Sequence, residues 1–70
     1  MKRTNVDSSN IRSIGYDPKG NTLEIQFHSG RVYQYFNVPE SVHQELMGAE
    51  SVGKYFLDNI KPNYTWQKVS

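Results

Sequence analysis

Apolar and polar side chains alternate along Leu23-Glu24-Ile25-Gln26-Phe27, which predicts a β-strand with one buried and one exposed face. The segment before it, Ile11 to Tyr16, is mildly β-prone, and Asp17-Pro18-Lys19-Gly20 has the Pro and Gly positions of a type I turn. After Ser29-Gly30, the segment from Arg31 to Phe36 is predicted to be a third strand. The pattern therefore predicts three antiparallel strands in a meander.

Two short helices are predicted after the strands. Pro39 suits the first position of a helix in which Val42 and Leu46 share a face, and Gly48 is a suitable end. Ser51 is a suitable cap for a second helix.

The apolar positions of the second helix recur at helical spacing: Val52, Tyr55, Phe56 and Ile60. Lys61-Pro62 then stops it. The segment from Tyr64 to Val69 is either a fourth strand or an extended tail.

The predicted fold is a small α+β domain: a three-stranded antiparallel β-meander followed by two short helices packed on one face. Residues 1–5 are polar without periodicity and are predicted to be a flexible N-terminus. Residues 6–70 are predicted to form one domain, since 70 residues suffice for only one core.

Tyr33 and Tyr35 are two apart on a predicted strand and therefore point to the same face. A two-residue turn at Ser29-Gly30 would expose both rings, whereas a three-residue loop that includes His28 would pair Tyr33 with Ile25 and bury them. The three-residue loop is favoured, because only Gly30 then needs the left-handed conformation. Exposed rings would instead form a platform on which unpaired bases stack.

Ser51, Gly53 and Lys54 lie at the start of the second predicted helix, where free backbone N–H groups attract anions. They are either an anion seat or an ordinary serine cap with a solvated lysine. Gly48 to Lys54 also reads Gly-x4-Gly-Lys, but a P-loop is rejected because Tyr55 stands where the magnesium-binding Ser or Thr belongs.

Composition limits the remaining function classes. Eight Lys and Arg face seven Asp and Glu, giving a net charge of +1, which is not typical of a strong nucleic-acid binder. The chain has no cysteine, and His28 and His43 lack metal-ligand spacing, so we expect no metal, no cofactor and no catalysis. Without an apolar run or leader pattern, a cytoplasmic protein without membrane contact is expected.

Two short segments make the chain resemble a known family. They are Gly30-Arg31-Val32-Tyr33-Gln34-Tyr35 and Ser51-Val52-Gly53-Lys54-Tyr55-Phe56, supported by Tyr16-Asp17, Val38-Pro39 and Ile60-Lys61. From about Val6 to Tyr64 the chain resembles the KTSC domain, a small module also found at the C-terminus of some lysyl-tRNA synthetases. The resemblance implies that the characteristic positions are Tyr33, Tyr35, Ser51, Gly53, Tyr55, Phe56 and Ile60, and that Lys54 and Lys61 occupy its usual basic positions.

The resemblance implies RNA binding, to tRNA or to single strands. The expected surface combines basic and aromatic side chains with the helix start: Arg31, Tyr33, Tyr35, Ser51, Gly53, Lys54 and Lys61. The alternative is a protein–protein adaptor that uses an apolar patch with Trp66 and Tyr64.

Overall fold

The predicted meander is present in the computed structural model, which describes all 70 residues, and one further strand lies at each edge of the sheet. The elements are β1 (Arg3–Asn5), β2 (Ile11–Asp17), β3 (Thr22–Phe27), β4 (Val32–Tyr35), α1 (Glu40–Met47), α2 (Val52–Tyr55), a π-helical segment (Phe56–Ile60) and β5 (Trp66–Lys68). All five strands are antiparallel, in the order β1-β2-β3-β4-β5. The helical elements cover one face of this sheet, and the α+β prediction is confirmed.

Strand β1 lies in residues 1–5, where the sequence predicted a flexible terminus. Arg3 pairs with Gly15 of β2, and a Cβ at Gly15 would lie 2.9 Å from Arg3 Cγ. The Arg3 side chain can therefore extend over β2 only because Gly15 has no side chain. Its guanidinium lies 3.5 Å from the carboxylate of Glu24 on β3. An exposed strand of three polar residues has no alternation of apolar side chains by which the sequence could reveal it.

A bulge in β2 places Ile11 and Ile14 on the same face. Residues three apart on a regular strand point to opposite faces. Between Ile11 and Ser13 the register shifts against β3 by one extra residue, so Arg12 is left out of the pairing and Ile14 turns inward. Both isoleucines are fully buried.

The hairpin between β3 and β4 has the predicted three-residue loop. Ile25 lies opposite Tyr33, and the Phe27 N–H donates to the Arg31 carbonyl at 2.9 Å. Gly30 has φ +95°, a conformation in which glycine carries no steric penalty. The register turns both tyrosines to the inner face, where Tyr35 is buried and Tyr33 is half-buried.

The core lies between the inner sheet face and the helical elements. Its buried residues are Ile11, Ile14, Leu23, Ile25, Tyr35, Val38, Leu46, Val52, Phe56 and Ile60. Pro39 is the cap of α1 rather than its first helical residue as predicted, because its ψ of 151° is extended. The Tyr16 hydroxyl donates to the Val38 carbonyl at 2.6 Å, which ties the entry to α1 to the sheet.

The second helix changes from an α-helix to a π-helix at Phe56, and the four-residue spacing of its buried side chains explains why. Val52, Phe56 and Ile60 are all buried, yet residues four apart on an α-helix drift by about 40° at each step. From Phe56 the chain becomes π-helical, and the Lys61 N–H donates to the Phe56 carbonyl at 2.9 Å. The wider turn cancels the drift and keeps all three side chains on the core.

Replacing Tyr35 by alanine should destabilise the domain by on the order of 3 kcal/mol, because the ring is 3% exposed and packs on Phe56 at a centroid distance of 5.3 Å. Denaturant unfolding of Tyr35→Ala beside Tyr35→Phe measures this. Phenylalanine retains the ring and should change the unfolding free energy much less. An unfolding midpoint for Tyr35→Ala equal to that of the parent would contradict the core role.

Burial, and to a lesser extent the neighbouring Tyr33, raises the pKa of Tyr35 from 10.0 to about 12. A raised folded pKa means that the neutral phenol stabilises the fold fully below pH 10, and that this contribution disappears as the pH rises through 12. The loss is on the order of 2–3 kcal/mol at ~1.4 kcal/mol per unit. Unfolding free energies measured from pH 9 to 12 should fall less steeply in Tyr35→Phe than in the parent, and identical slopes would refute the assignment.

Candidate functional site

A cleft of about 510 Å³ opens where the ends of the inner strands meet the second helical stretch. Strand β4 supplies Tyr33 and Tyr35, with Arg31 just before it, and β5 supplies Trp66. The opposite wall is formed by α2 and the π-helical segment. The remaining lining comes from the start of β2 and the β3–β4 loop: Ser9, Asn10, Ile11, Phe27, His28 and Ser29.

Interlocked aromatic rings form the floor of the cleft. Phe56 contacts Phe27 edge-on at 5.7 Å and Tyr35 at 5.3 Å, and Phe27 in turn meets Tyr33 at 5.7 Å. Tyr33 then meets Trp66 at 5.2 Å with a tilt of 52°. The floor therefore runs from buried rings to an accessible one, since Trp66 is 54% exposed.

The π-helical segment aligns the second wall of the cleft. Gly53, Leu57 and Lys61 follow at intervals of four and all line it. As in the core row beside them, the wider π turn offsets the drift of an α-helix and keeps Lys61 in line with Gly53. Leu57 is 49% exposed, so this wall presents an accessible apolar side chain one turn before Lys61.

Two full positive charges line the cleft, those of Arg31 and Lys61, and no carboxylate does. Burial raises the pKa of Tyr35 from 10.0 to about 12, so its phenol adds no negative charge to the cleft even in mildly alkaline solution. His28 Nε2 lies 2.8 Å from the Ser8 carbonyl, and the Ser29 hydroxyl accepts from the Arg31 N–H at 3.4 Å. The cleft thus presents aromatic area and positive charge together.

Ser51 and Lys54 lie on a second depression, of about 390 Å³. The Ser51 hydroxyl accepts from the Lys54 N–H at 3.3 Å, which makes Ser51 the predicted cap of α2. Three acidic residues line this depression with Lys54, namely Asp7, Glu50 and Asp58. A surface with three carboxylates and one ammonium repels an anion, and α2 has only four residues.

Gly53 lies between the two depressions and lines both. A Cβ at this position would lie 3.2 Å from the Ser8 hydroxyl, so glycine allows α2 to approach the β1–β2 loop. The structure therefore brings together Arg31, Tyr33, Tyr35, Gly53 and Lys61 of the residues selected from sequence. It places Ser51 and Lys54 elsewhere.

The most exposed aromatic of the cleft, Trp66, was assigned from sequence to a separate partner patch with Tyr64. Strand β5 pairs Trp66 with Tyr35 and so places the indole beside the tyrosine strand. Taking the C-terminal segment as a strand next to β4, rather than as a tail, would have predicted this. Leu57 carried no comparable signal, because its position depends on the π-helical segment.

No helix of this chain is long and apolar enough to cross a lipid bilayer.

Comparison with known proteins gives matches along most of the chain. Residues 7–64 match the model of the KTSC domain. The crystal structure of a KTSC domain protein from Yersinia pestis is 46% identical, superposes with a TM-score of 0.95, and is matched over 99% of this chain and 97% of that one. An uncharacterized protein of Stutzerimonas stutzeri is 45% identical over 64 residues, which are 91% of this chain and 90% of that protein.

Lysine–tRNA ligases contain a related region. That of Nostoc punctiforme is 41% identical over 64 residues, which are 91% of this chain and only 11% of the ligase. The ligase of another Nostoc strain is 39% identical with the same coverage. From the matched residues and the shared fold, the chain belongs to the KTSC domain family.

Proposed function

We propose that this domain is a non-enzymatic module that binds unpaired RNA in the cleft between β4, β5 and the π-helical segment. The observation that carries the proposal is the combination of the exposed Trp66 ring and the half-buried Tyr33 ring with Arg31 and Lys61, on a lining without carboxylates. RNA is the polymer that offers flat aromatic bases and regular negative charges together. Unpaired bases stack on aromatic side chains at roughly 1–3 kcal/mol each.

The lining favours binding over catalysis. The side chains of His28 and Ser29 are engaged by backbone atoms: His28 by the Ser8 carbonyl of the β1–β2 loop, and Ser29 by the Arg31 N–H of its own loop. The other polar residues of the lining offer a ligand charge and hydrogen bonds. We therefore infer a cleft that holds a ligand without transforming it.

The relatives support an RNA partner. Lysine–tRNA ligases, which by name act on tRNA, contain a region 39–41% identical to this chain. A module that contacts the unpaired parts of tRNA would suit such an enzyme, and a separate copy could bind other unpaired RNA. An RNA partner also agrees with the cytoplasmic location expected from the sequence.

Trp66 and Leu57 are both exposed apolar side chains of the cleft, which is the kind of feature that a protein partner would use. Such a partner would be held mainly by apolar area, so its affinity would change little with salt. Salt dependence therefore separates the two functions.

Binding of a fluorescent single-stranded RNA should weaken with salt at a log-log slope near −1.4, about 0.7 for each of two phosphates met by Arg31 and Lys61. Lys61→Ala should flatten the slope by about 0.7 without changing the melting temperature, because Lys61 is exposed. Lys54→Ala is the matched control: its lysine lies on the acidic depression, so the slope should stay unchanged.

Lys19→Ala, in the β2–β3 turn at a distance from the cleft, controls for loss of any positive charge. Absence of binding at low salt to both tRNA and single-stranded RNA would refute the proposal. If Lys54→Ala and Lys61→Ala flatten the salt dependence equally, the phosphate-binding surface includes the start of α2 and the proposed site is wrong.

A further inference from the structure

We infer that the unit held by the cleft is a single unpaired nucleotide, with its base against Trp66 and Tyr33 and its phosphate at Lys61, while Arg31 meets the next phosphate when the nucleotide belongs to a strand. This inference rests on the proposed function and specifies its ligand. It predicts that a free mononucleotide suffices to occupy the site.

The size of the cleft supports one nucleotide rather than a long tract. Its volume of about 510 Å³ falls in the range of roughly 300–1,000 Å³ that small-molecule sites have. The lining extends from β2 to β5, three strand spacings of about 4.8 Å each, or about 14 Å. A span of that length encloses one nucleotide and reaches at most the next.

The distribution of chemistry supports a ligand with one flat ring system and one anionic group. Seven of the fourteen lining residues are hydrophobic, and the accessible ones, Trp66 and Leu57, border the opening. Both cations line the cleft, Arg31 directly before β4 and Lys61 directly after the π-helical segment. A nucleotide satisfies both parts, whereas a nucleoside lacks the charge and a sugar phosphate lacks the ring.

Paired bases do not fit this arrangement. Within a duplex the faces of a base are covered by its neighbours, so Trp66 can stack only on a base that has left the helix or lies at an end. The neighbouring acidic depression, with Asp7, Glu50 and Asp58, adds repulsion against a long phosphate backbone that extends past Gly53. Both features favour a short unpaired stretch.

Trp66 is the single tryptophan of the chain, so its fluorescence reports directly on the cleft. Titration with AMP should quench the emission saturably. Adenosine, which lacks the charged phosphate, should bind about tenfold or more weakly. Ribose 5-phosphate should compete with AMP without quenching.

A variant pair locates the phosphate. Lys61→Ala should weaken the binding of AMP about tenfold and leave the binding of adenosine unchanged, whereas Lys54→Ala should alter neither affinity. A length series then sets the site size: the affinity per nucleotide of unpaired oligonucleotides of two to ten residues with 5′-phosphates should agree within about threefold. The same strand in a blunt duplex should quench much less, because only its end bases are accessible.

The outcomes separate the ligand from the function. Affinity per nucleotide that rises steadily with length, or RNA binding without any binding of AMP, would overturn the single-nucleotide site and leave the RNA proposal standing. AMP that binds more tightly than every RNA would support the nucleotide site and overturn the RNA proposal. Absence of quenching and of competition by all ligands would overturn both.

Discussion

The packing of Phe56 against the sheet is the interaction on which the rest of this structure depends. The ring lies edge-on against Phe27 of β3 and Tyr35 of β4, and it is itself buried. It therefore fixes the second helical stretch to the sheet. It also forms the deep floor of the cleft, so the same contact that closes the core determines the surface that a ligand meets. In a domain this small, each such aromatic contact is a large share of the stability margin.

One helical stretch separates two surfaces of opposite charge. The side with Lys61 joins Arg31 and the exposed Trp66, while the side with Lys54 joins three carboxylates. Net charge near zero thus conceals a local division, and the overall charge of +1 is a poor guide to what the cleft attracts. Two lysines only seven positions apart in sequence consequently have different surroundings.

The sequence predicted most of the fold because the determining signals were local. The single glycine able to take a positive φ in the β3–β4 loop predicted the register that brings Tyr33 opposite Ile25. The site was predicted less completely. Ser51 and Lys54 were grouped with Arg31 because a helix start attracts anions in general. The neighbouring Glu50 and Asp58 were not weighed against this, and the third carboxylate, Asp7, comes from a distant part of the chain. Strand β1 depends on tertiary contacts, which no local pattern reveals. The four-residue spacing of Val52, Phe56 and Ile60 did carry a signal for the π-helical segment, but it was taken for ordinary helical spacing.

The central claim is that ligands bind where β4, β5 and the π-helical segment meet. Mapping the amide and indole resonances of isotope-labelled protein during titration with a short unpaired RNA tests it most directly. The account predicts the largest shifts at the Trp66 indole N–H and at the amides of Arg31, Tyr33 and Lys61, with Ser51 and Lys54 nearly unchanged. Largest shifts at the start of α2, or on the outer sheet face around Glu24 and Gln34, would contradict it.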